Sequence, residues 1–330
     1  MREKHLEILE KPEQVKTCQE LLAEFREREE LGGKSEKIKF SGIDGKDVYN
    51  ITAPFEIEGE TYILGRVEVP ETDKDSHVMW FKKKDKETWE ADKDISPLKG
   101  EDPFAVKIKS KKETEFVLGV VRIFWQNKKV ANYQTNFYKG RNLKELKEVI
   151  KNNTLFAKGP DKMKNIRLTG LPNGKIGVFT RPENDRRKEI GFLEINSLEE
   201  LNAEKIGQAK IIQGLFAGGS YGGANEIHIL DKETLGILGH IAWLDNEGDE
   251  DIRHYYAITF KFNLLTHQAS SLKIIAERSD FPPGKAKKPY LQDVVFTGGL
   301  RRNKNGTAVL YVGLSDKEAG KKIIKDPFVS

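Results

Sequence analysis

Asp293-Val294-Val295-Phe296, followed after the Asn305-Gly306 turn by Ala308-Val309-Leu310-Tyr311, is the stretch on which the fold reading turns. A polar leader opens a short β-rich run, a turn signal follows, and an apolar strand comes next. The unit recurs upstream. Asn50-Ile51-Thr52-Ala53-Pro54 leads Tyr62-Ile63-Leu64-Gly65-Arg66, and Asp102-Pro103-Phe104 leads Phe116-Val117-Leu118-Gly119. Asn165-Ile166-Arg167 leads Ile176-Gly177-Val178-Phe179, and Asn225-Glu226-Ile227 leads Leu235-Gly236-Ile237-Leu238-Gly239. The leaders are 52, 63, 60 and 68 residues apart, a repeat long enough to hold a four-stranded sheet. Radial packing of such sheets leaves only short, protected edges, so the pattern predicts an all-β, five-bladed β-propeller with five polar side chains around one central cavity. Asn and Asp also open strands because turns favour them, but five in register argue for the cavity.

Outside the repeats, Val15, Cys18, Leu21, Leu22 and Phe25 fall on helical spacing between Pro12 and Gly32-Gly33, which predicts an amphipathic helix over residues 12–31. The expected organisation is a helical extension over 1–40 and a single propeller domain over 41–330. Cap-and-box spacing of Asn142 with Glu145 and of Ser197 with Glu200 predicts short connecting helices at 142–152 and 197–204.

Composition removes several function classes. The 330 residues carry 56 basic and 52 acidic side chains, and a net charge of +4 gives no field that implies a nucleic-acid partner. Cys18 is the single cysteine, which excludes an intramolecular disulfide and a Cys-rich zinc site and points to a cytoplasmic home. The six histidines, His5, His77, His228, His240, His254 and His267, contain no His-x-x-x-His pair, so no metal and no cofactor is expected. The charged run Met1–Glu7 lacks the apolar stretch of a secretory signal. The longest weakly polar run, 235–244, is about half of the ~20 residues needed to cross a bilayer, so no membrane partner is expected. The basic runs at 82–84, 111–112 and 285–288 read as solvated turns. The oligomeric state stays open.

Cleavage of a glycoside with inversion needs one carboxylic acid at the leaving oxygen and one carboxylate roughly 6.5 to 9.5 Å away. Asp102 suits the first role, with Pro103 restraining the backbone after it. Glu226 and Asp293, each leading another repeat, are candidate partners. An acid must keep its proton near neutral pH, so Asp102 is expected to have a raised pKa. Glu101 is an unpromising cause of that shift, because adjacent strand residues face opposite sides. Two other readings stand beside this one. The run Gly218-Gly219-Ser220-Tyr221-Gly222 fits a serine-hydrolase elbow, with Asp231 or Asp245 and His254 or His267 in the required chain order, although the residues after it read as a strand where an elbow needs a helix. The third reading is a propeller that binds sugar or protein without catalysis.

Glu101-Asp102-Pro103, Gly174-Lys175 leading to Thr180-Arg181-Pro182, Leu238-Gly239-His240, and Val294 to Gly299 with Leu310 to Asp316 resemble, in order, the blade signatures of the mannoside phosphorylase and hydrolase family, glycoside hydrolase family 130. The wider group includes five-bladed furanosidases. From about residue 44 to 320 the chain resembles most closely the branch called domain of unknown function 1861. The resemblance implies a small carbohydrate substrate, with water or inorganic phosphate as the acceptor. It implies that Asp102 protonates the glycosidic oxygen, directly or through a sugar hydroxyl, that Asn50 and Arg66 hold the sugar before the scissile bond, and that Asp316 binds its hydroxyls. Asn165 and Asn225 would add polar contacts from their blades, and Arg181 and His240 match phosphate-binding positions. Two departures weigh toward hydrolysis or a non-catalytic sugar site. Phe104 stands where the family has an Arg, and the nearest candidate for a second phosphate-binding Arg is Lys210, a point charge in place of a bidentate fork.

Overall fold

The computed structural model describes residues 14–28, 33–72, 75–85, 87–109, 113–184, 187–247 and 250–329. Met1–Glu7 with His5, Pro12, Gly32 and the 111–112 basic run lie outside them.

The architecture is all-β and propeller-like. Four four-stranded sheets and one of seven strands carry nearly all of it, and a two-stranded pairing of Glu183–Asn184 with Arg187–Lys188 stands apart. We number the larger sheets one to five along the chain. Sheet one is the seven-stranded one and spans 39–99. The others begin with the inner strands Glu101–Lys109, Arg167–Gly170, Tyr221–Ile229 and Val295–Arg302. Each inner strand touches the next, and strand Asp47–Tyr49 of sheet one meets strands Thr307–Leu314 and Glu318–Lys325 of sheet five. Sheet five takes its outermost strand, Ser35–Lys37, from the other end of the chain, where Ser35 pairs with Lys322. The sheets therefore begin at residue 35.

Apolar seams lie between successive sheets, as expected where strands bury both faces. Leu64 and Trp80 meet Leu118 and Tyr138 between sheets one and two, and Phe104 and Phe137 meet Leu168 and Val178 between two and three. Phe179 and Phe192 meet Ile237 and Phe262 between three and four. Leu238 and Ala257 meet Leu310 and Val312 between four and five. Val48 and Ile63 meet Tyr311 and Ala319, returning the circuit to sheet one.

The first helix runs Cys18–Glu27, shorter than the 12–31 expected from periodicity, because local capping sets its start. Thr17 accepts from the Glu20 N–H while the Glu20 carboxylate takes the Thr17 N–H, and Arg28 is already extended. Its buried residues Cys18, Leu21 and Phe25 join the seam between sheets three and four. Helix Leu143–Lys151 forms between Asn142 and Asn152 as predicted. The helix expected over 197–204 does not form as one piece. Ser197 makes no capping bond and opens only a 3-10 turn at 198–200, whereas Asn202 accepts from the Lys205 N–H and starts helix Ala203–Gly207. No helix among the described residues is long and apolar enough to cross a membrane.

Phe179 tests the seams. It is fully buried, with ring centroids 5.0 Å from Phe192 in its own sheet and 5.7 Å from Phe262 in the next. Phe179→Ala should cost about 3–5 kcal/mol in urea unfolding. A loss below about 1 kcal/mol would mean that the seam does not hold the sheets together.

Candidate active site

Four of the five polar leaders share a distortion at the inner end of their sheets. Asn50, Asp102 and Asn165 have φ of 44°, 49° and 58°, a left-handed conformation that Asn and Asp tolerate better than other side chains. Asn225 occupies a β-bulge between Ala224 and Glu226. In sheet five the bulge falls between Thr297 and Gly299, so Gly298 holds the corresponding place, and a Cβ there would stand 1.8 Å from the Ile51 carbonyl oxygen. Asp293, the expected fifth leader, lies before that strand. Its carboxylate accepts from the Tyr256 hydroxyl at 2.6 Å and meets His254 Nδ1 at 2.7 Å.

The bulge at Asp102 overturns the alternation argument. Sheet-two register slips between Gly119 and Val121, and Glu101 and Asp102 both reach one guanidinium. Arg66 Nη2 lies 2.9 Å from Glu101 and Nη1 3.8 Å from Asp102. Asn50 Nδ2 donates to Asp102 Oδ1 at 2.9 Å, and Lys164 Nζ stands 3.6 Å from Glu101. Burial pushes the Asp102 carboxyl up, but Lys164, Arg66, the Asn50 amide and Arg167 outweigh it and hold the group below the usual carboxylate range. The raised pKa expected for Asp102 belongs to Glu101, where burial together with Asp102 and Glu68 prevails over Arg66 and Lys164. Asp316 is also raised, by burial, Asp102 and Glu68 against Arg66 and Lys287.

Arg66 is fixed from behind by Glu68, which it meets at 2.6 Å, and by Ser76 at 2.9 Å. Glu68 in turn takes the Tyr49 hydroxyl and the Lys287 ammonium, and Lys287 Nζ donates to Tyr49 at 3.1 Å. Lys287 is 6% exposed, so the reading of 285–288 as a solvated turn fails at this residue. Arg66 therefore stands among the carboxylates Glu68, Glu101 and Asp102.

The positive side is built from sheet three. Arg181 is 3% exposed and lies 3.7 Å from Glu183. Arg167, unnoticed in the sequence, donates to the Asn225 carbonyl at 2.9 Å and lies 5.0 Å over the Phe104 ring. Burial, with Arg181, draws its pKa down to about 10, partly offset by Asp102. Asn225 Oδ1 meets His240 Nδ1 at 2.7 Å, which places the ring proton on Nδ1 and leaves Nε2 an acceptor. Burial and the charges of Arg181, Arg167 and Lys164 keep that ring neutral. Gly223 permits the arrangement, because a Cβ there would lie 2.9 Å from Asn165 Nδ2 and 3.0 Å from His240 Cε1.

Five buried polar atoms of this region find no partner among the described residues: the donors Arg181 Nε, Asn165 Nδ2 and Asn225 Nδ2, and the acceptors Asn50 Oδ1 and His240 Nε2. A mixture of buried donors and acceptors matches hydroxyl groups, which are both.

The remaining candidates lie elsewhere in the hydrogen-bond network. Glu226 accepts from the Leu300 N–H at 2.5 Å and meets His228 at 3.1 Å, tying sheet four to sheet five. Ser220 accepts from the Cys18 N–H at 3.1 Å and is followed by strand Tyr221–Ile229, so the elbow geometry is missing.

The sequence profile described as Protein of unknown function (DUF1861) matches residues 24–330. The chain belongs to that family. Among solved structures, a mannose phosphorylase from Leishmania mexicana in complex with phosphate ion is 32% identical, with a TM-score of 0.84 over 94% of this chain and 93% of that one. A GDP-Man-dependent mannosyltransferase from Leishmania mexicana is 33% identical, with a TM-score of 0.85 over 95% and 96%. A beta-1,2-mannobiose phosphorylase from Listeria innocua shares the fold at 15% identity, with a TM-score of 0.58 over 88% and 91%. No curated protein matches the chain. In this chain the candidate site combines a carboxylate side around Arg66 with a cationic side around Arg167.

The opposed shifts of Glu101 and Asp102 have opposed consequences for stability. Asp102 adds stability that is complete above the ordinary Asp pKa of about 3.9 and fades as pH falls through its lower folded value. Glu101 adds stability below the ordinary Glu pKa of about 4.3 that is lost as pH rises through its higher folded value. At pH 7, Asp102→Asn should therefore lower the melting temperature while Glu101→Gln leaves it unchanged or raises it. Calorimetry giving the reverse order would overturn the assignment.

Proposed function

We propose that the protein is a carbohydrate-active enzyme of the mannoside phosphorylase type, moving a mannosyl unit between a hydroxyl oxygen and inorganic phosphate. On this reading the seven-stranded sheet counts as one blade of a five-bladed propeller, a single domain with an N-terminal helical extension. The observation that carries it is the set of unpartnered donors and acceptors beside Lys164, Arg167 and Arg181. Hydroxyls suit the mixed set and phosphate suits the cations. Arg167 and Lys164 provide the charge that the sequence lacked near Arg181, which favours phosphate over water. Similarity to a mannose phosphorylase with phosphate bound supports the same choice.

Asn50 and Arg66 hold the mannosyl unit, Asp316 binds its hydroxyls, and Asn165 and Asn225 line the opposite wall. His240, neutral and with a free acceptor, takes a hydroxyl. Asp102, ionised in the resting site, suits the synthetic direction. It accepts the proton of the attacking acceptor hydroxyl as the new C–O bond forms and phosphate departs from the opposite face of the anomeric carbon. In phosphorolysis the proton returns to the glycosidic oxygen, with Glu101 beside Asp102 as the carboxyl that keeps a proton more readily. Neither Glu226 nor Asp293 takes part in this reading, because attacking phosphate needs no carboxylate to activate water.

The comparable likeness to a GDP-Man-dependent mannosyltransferase supports a second reading, with a nucleoside diphosphate as the leaving group on the same cations. Incubation with mannose and mannose 1-phosphate should release phosphate and form mannobiose. Asp102→Asn should slow this by about 10²- to 10⁴-fold with unchanged circular dichroism. Product from GDP-mannose alone selects the second reading. No turnover with either donor, and no cleavage of mannosides, would leave a sugar-binding propeller.

A further inference from the structure

Strand Thr114–Gln126 outruns its inner neighbour. The sheet-two register ends where Val121 faces Glu101, and the last five residues pair with strand Lys129–Gly140 alone. The ribbon thus rises roughly 17 Å beyond the Glu101–Asp102 pair, its lower half flanked by the segment 159–163, where the Lys162 N–H donates to the Tyr133 carbonyl at 2.9 Å. Ile123 faces Tyr133, Phe124 faces Asn132, and a bulge then places Trp125 opposite Val130.

The two faces of the ribbon differ. Alternation puts Arg122 and Phe124 on one face, in agreement with the Arg122 guanidinium 6.0 Å over the Phe124 ring. Ile123, Trp125, Val130 and Tyr133 share the other, and that face leads to the site. Lys164 Nζ stands 5.9 Å over the Tyr133 ring and 3.6 Å from Glu101. Trp125 is 37% exposed and Val130 49% exposed.

We infer that Trp125, with Val130 beside it and Tyr133 below, is a stacking platform for sugar units beyond the reacting bond, so that the ribbon makes the enzyme sensitive to acceptor length. The inference rests on the mannoside reading of the site. The occupant follows from place and chemistry. The platform is continuous with Lys164 and Glu101, and a pyranose presents C–H groups on its faces and hydroxyls at its rim. It packs on an indole while its polar edge stays wet, the amphipathic match for which tryptophan is suited. Three side chains on one ribbon face are also far fewer than the roughly 20–30 residues a side of a stable protein–protein interface.

The test titrates wild type, Trp125→Ala and Trp125→Phe with mannose and with manno-oligosaccharides of two to five units by calorimetry, alongside turnover of the same acceptors with mannose 1-phosphate. Trp125→Ala should weaken binding of three units and longer by about tenfold and raise their KM to match. Mannose should be unaffected, kcat should hold, and Trp125→Phe should restore most of the loss. If Trp125→Ala binds every length as the wild type does, the platform is refuted and the mannoside reading stands. If the wild type binds none of these sugars, that reading fails and takes the platform with it.

Discussion

The Glu68 carboxylate is the constraint on which the site depends. Its side chain is 1% exposed, and an ion so placed gives up several kcal/mol of hydration that only a full set of partners can offset. It has that set: Arg66, Ser76, Tyr49 and Lys287 converge on it. Three of these come from sheet one, but Lys287 reaches in from the segment between sheets four and five. The circuit of sheets is therefore closed by charge as well as by the apolar seam of Val48 and Tyr311. With one edge of its guanidinium on Glu68, Arg66 is oriented to meet Glu101 and Asp102 together. The burial of Arg66 by itself favours its neutral form, yet Glu101, Tyr49, Glu68 and Asp102 drive its pKa well upward, so the cation persists throughout any proton movement in the pair it holds.

That pair sets the sign of the local chemistry. Two adjacent carboxyls over one cation and a nearby lysine do not ionise alike. Asp102 has the Asn50 amide and three cations, Lys164, Arg66 and Arg167, while Glu101 faces Asp102 and Glu68 as well as its partners. The side facing sheet three has the complementary imbalance, since Arg167 and Arg181 sit close enough for one to lower the pKa of the other. Each side holds like charges near one another, a costly arrangement of the kind found where a site has yet to receive the groups that complete it.

Much of this was legible in the sequence, and the losses have physical causes. The leaders Asn50, Asp102 and Asn165 stand out because the left-handed backbone there favours Asn or Asp, and Asn225 because it opens the same unit at a bulge. Asp293 stands out in the sequence and Gly298 does not, because Gly298 has no side chain to signal its position and only the closeness of the Ile51 carbonyl requires it to be glycine. Strand alternation turns Glu101 away from Asp102 in the sequence, but the φ of 49° at Asp102 breaks that alternation. Lys287 looked like one more surface lysine in a basic run, since its partner Glu68 is 219 residues away. Lys164 and Arg167 flank the leader Asn165, so a cation on each side of a polar leader was the signal that could have revealed them. Trp125 leaves a fainter trace, at the end of an apolar run in strand Thr114–Gln126 that is longer than the inner strand beside it.

The competing explanations for the polar leaders, turn chemistry and site chemistry, turn out to be one. At 50, 102 and 165 the chain enters the left-handed region, which short polar side chains tolerate well because they bond locally to the backbone. Such residues carry an amide or carboxyl close to the backbone on a stiff stem, the property needed to hold a polar atom in a fixed position at the inner end of a sheet. The strain of each distortion, about 1–3 kcal/mol, is borne by the seams outside it. A larger polar side chain in the same place would add reach and lose the fixed direction. The repeat therefore selects the same residue types for its backbone and for its chemistry. For that reason a leader with a side chain marks the site, while a leader without one, as in sheet five, marks only the fold.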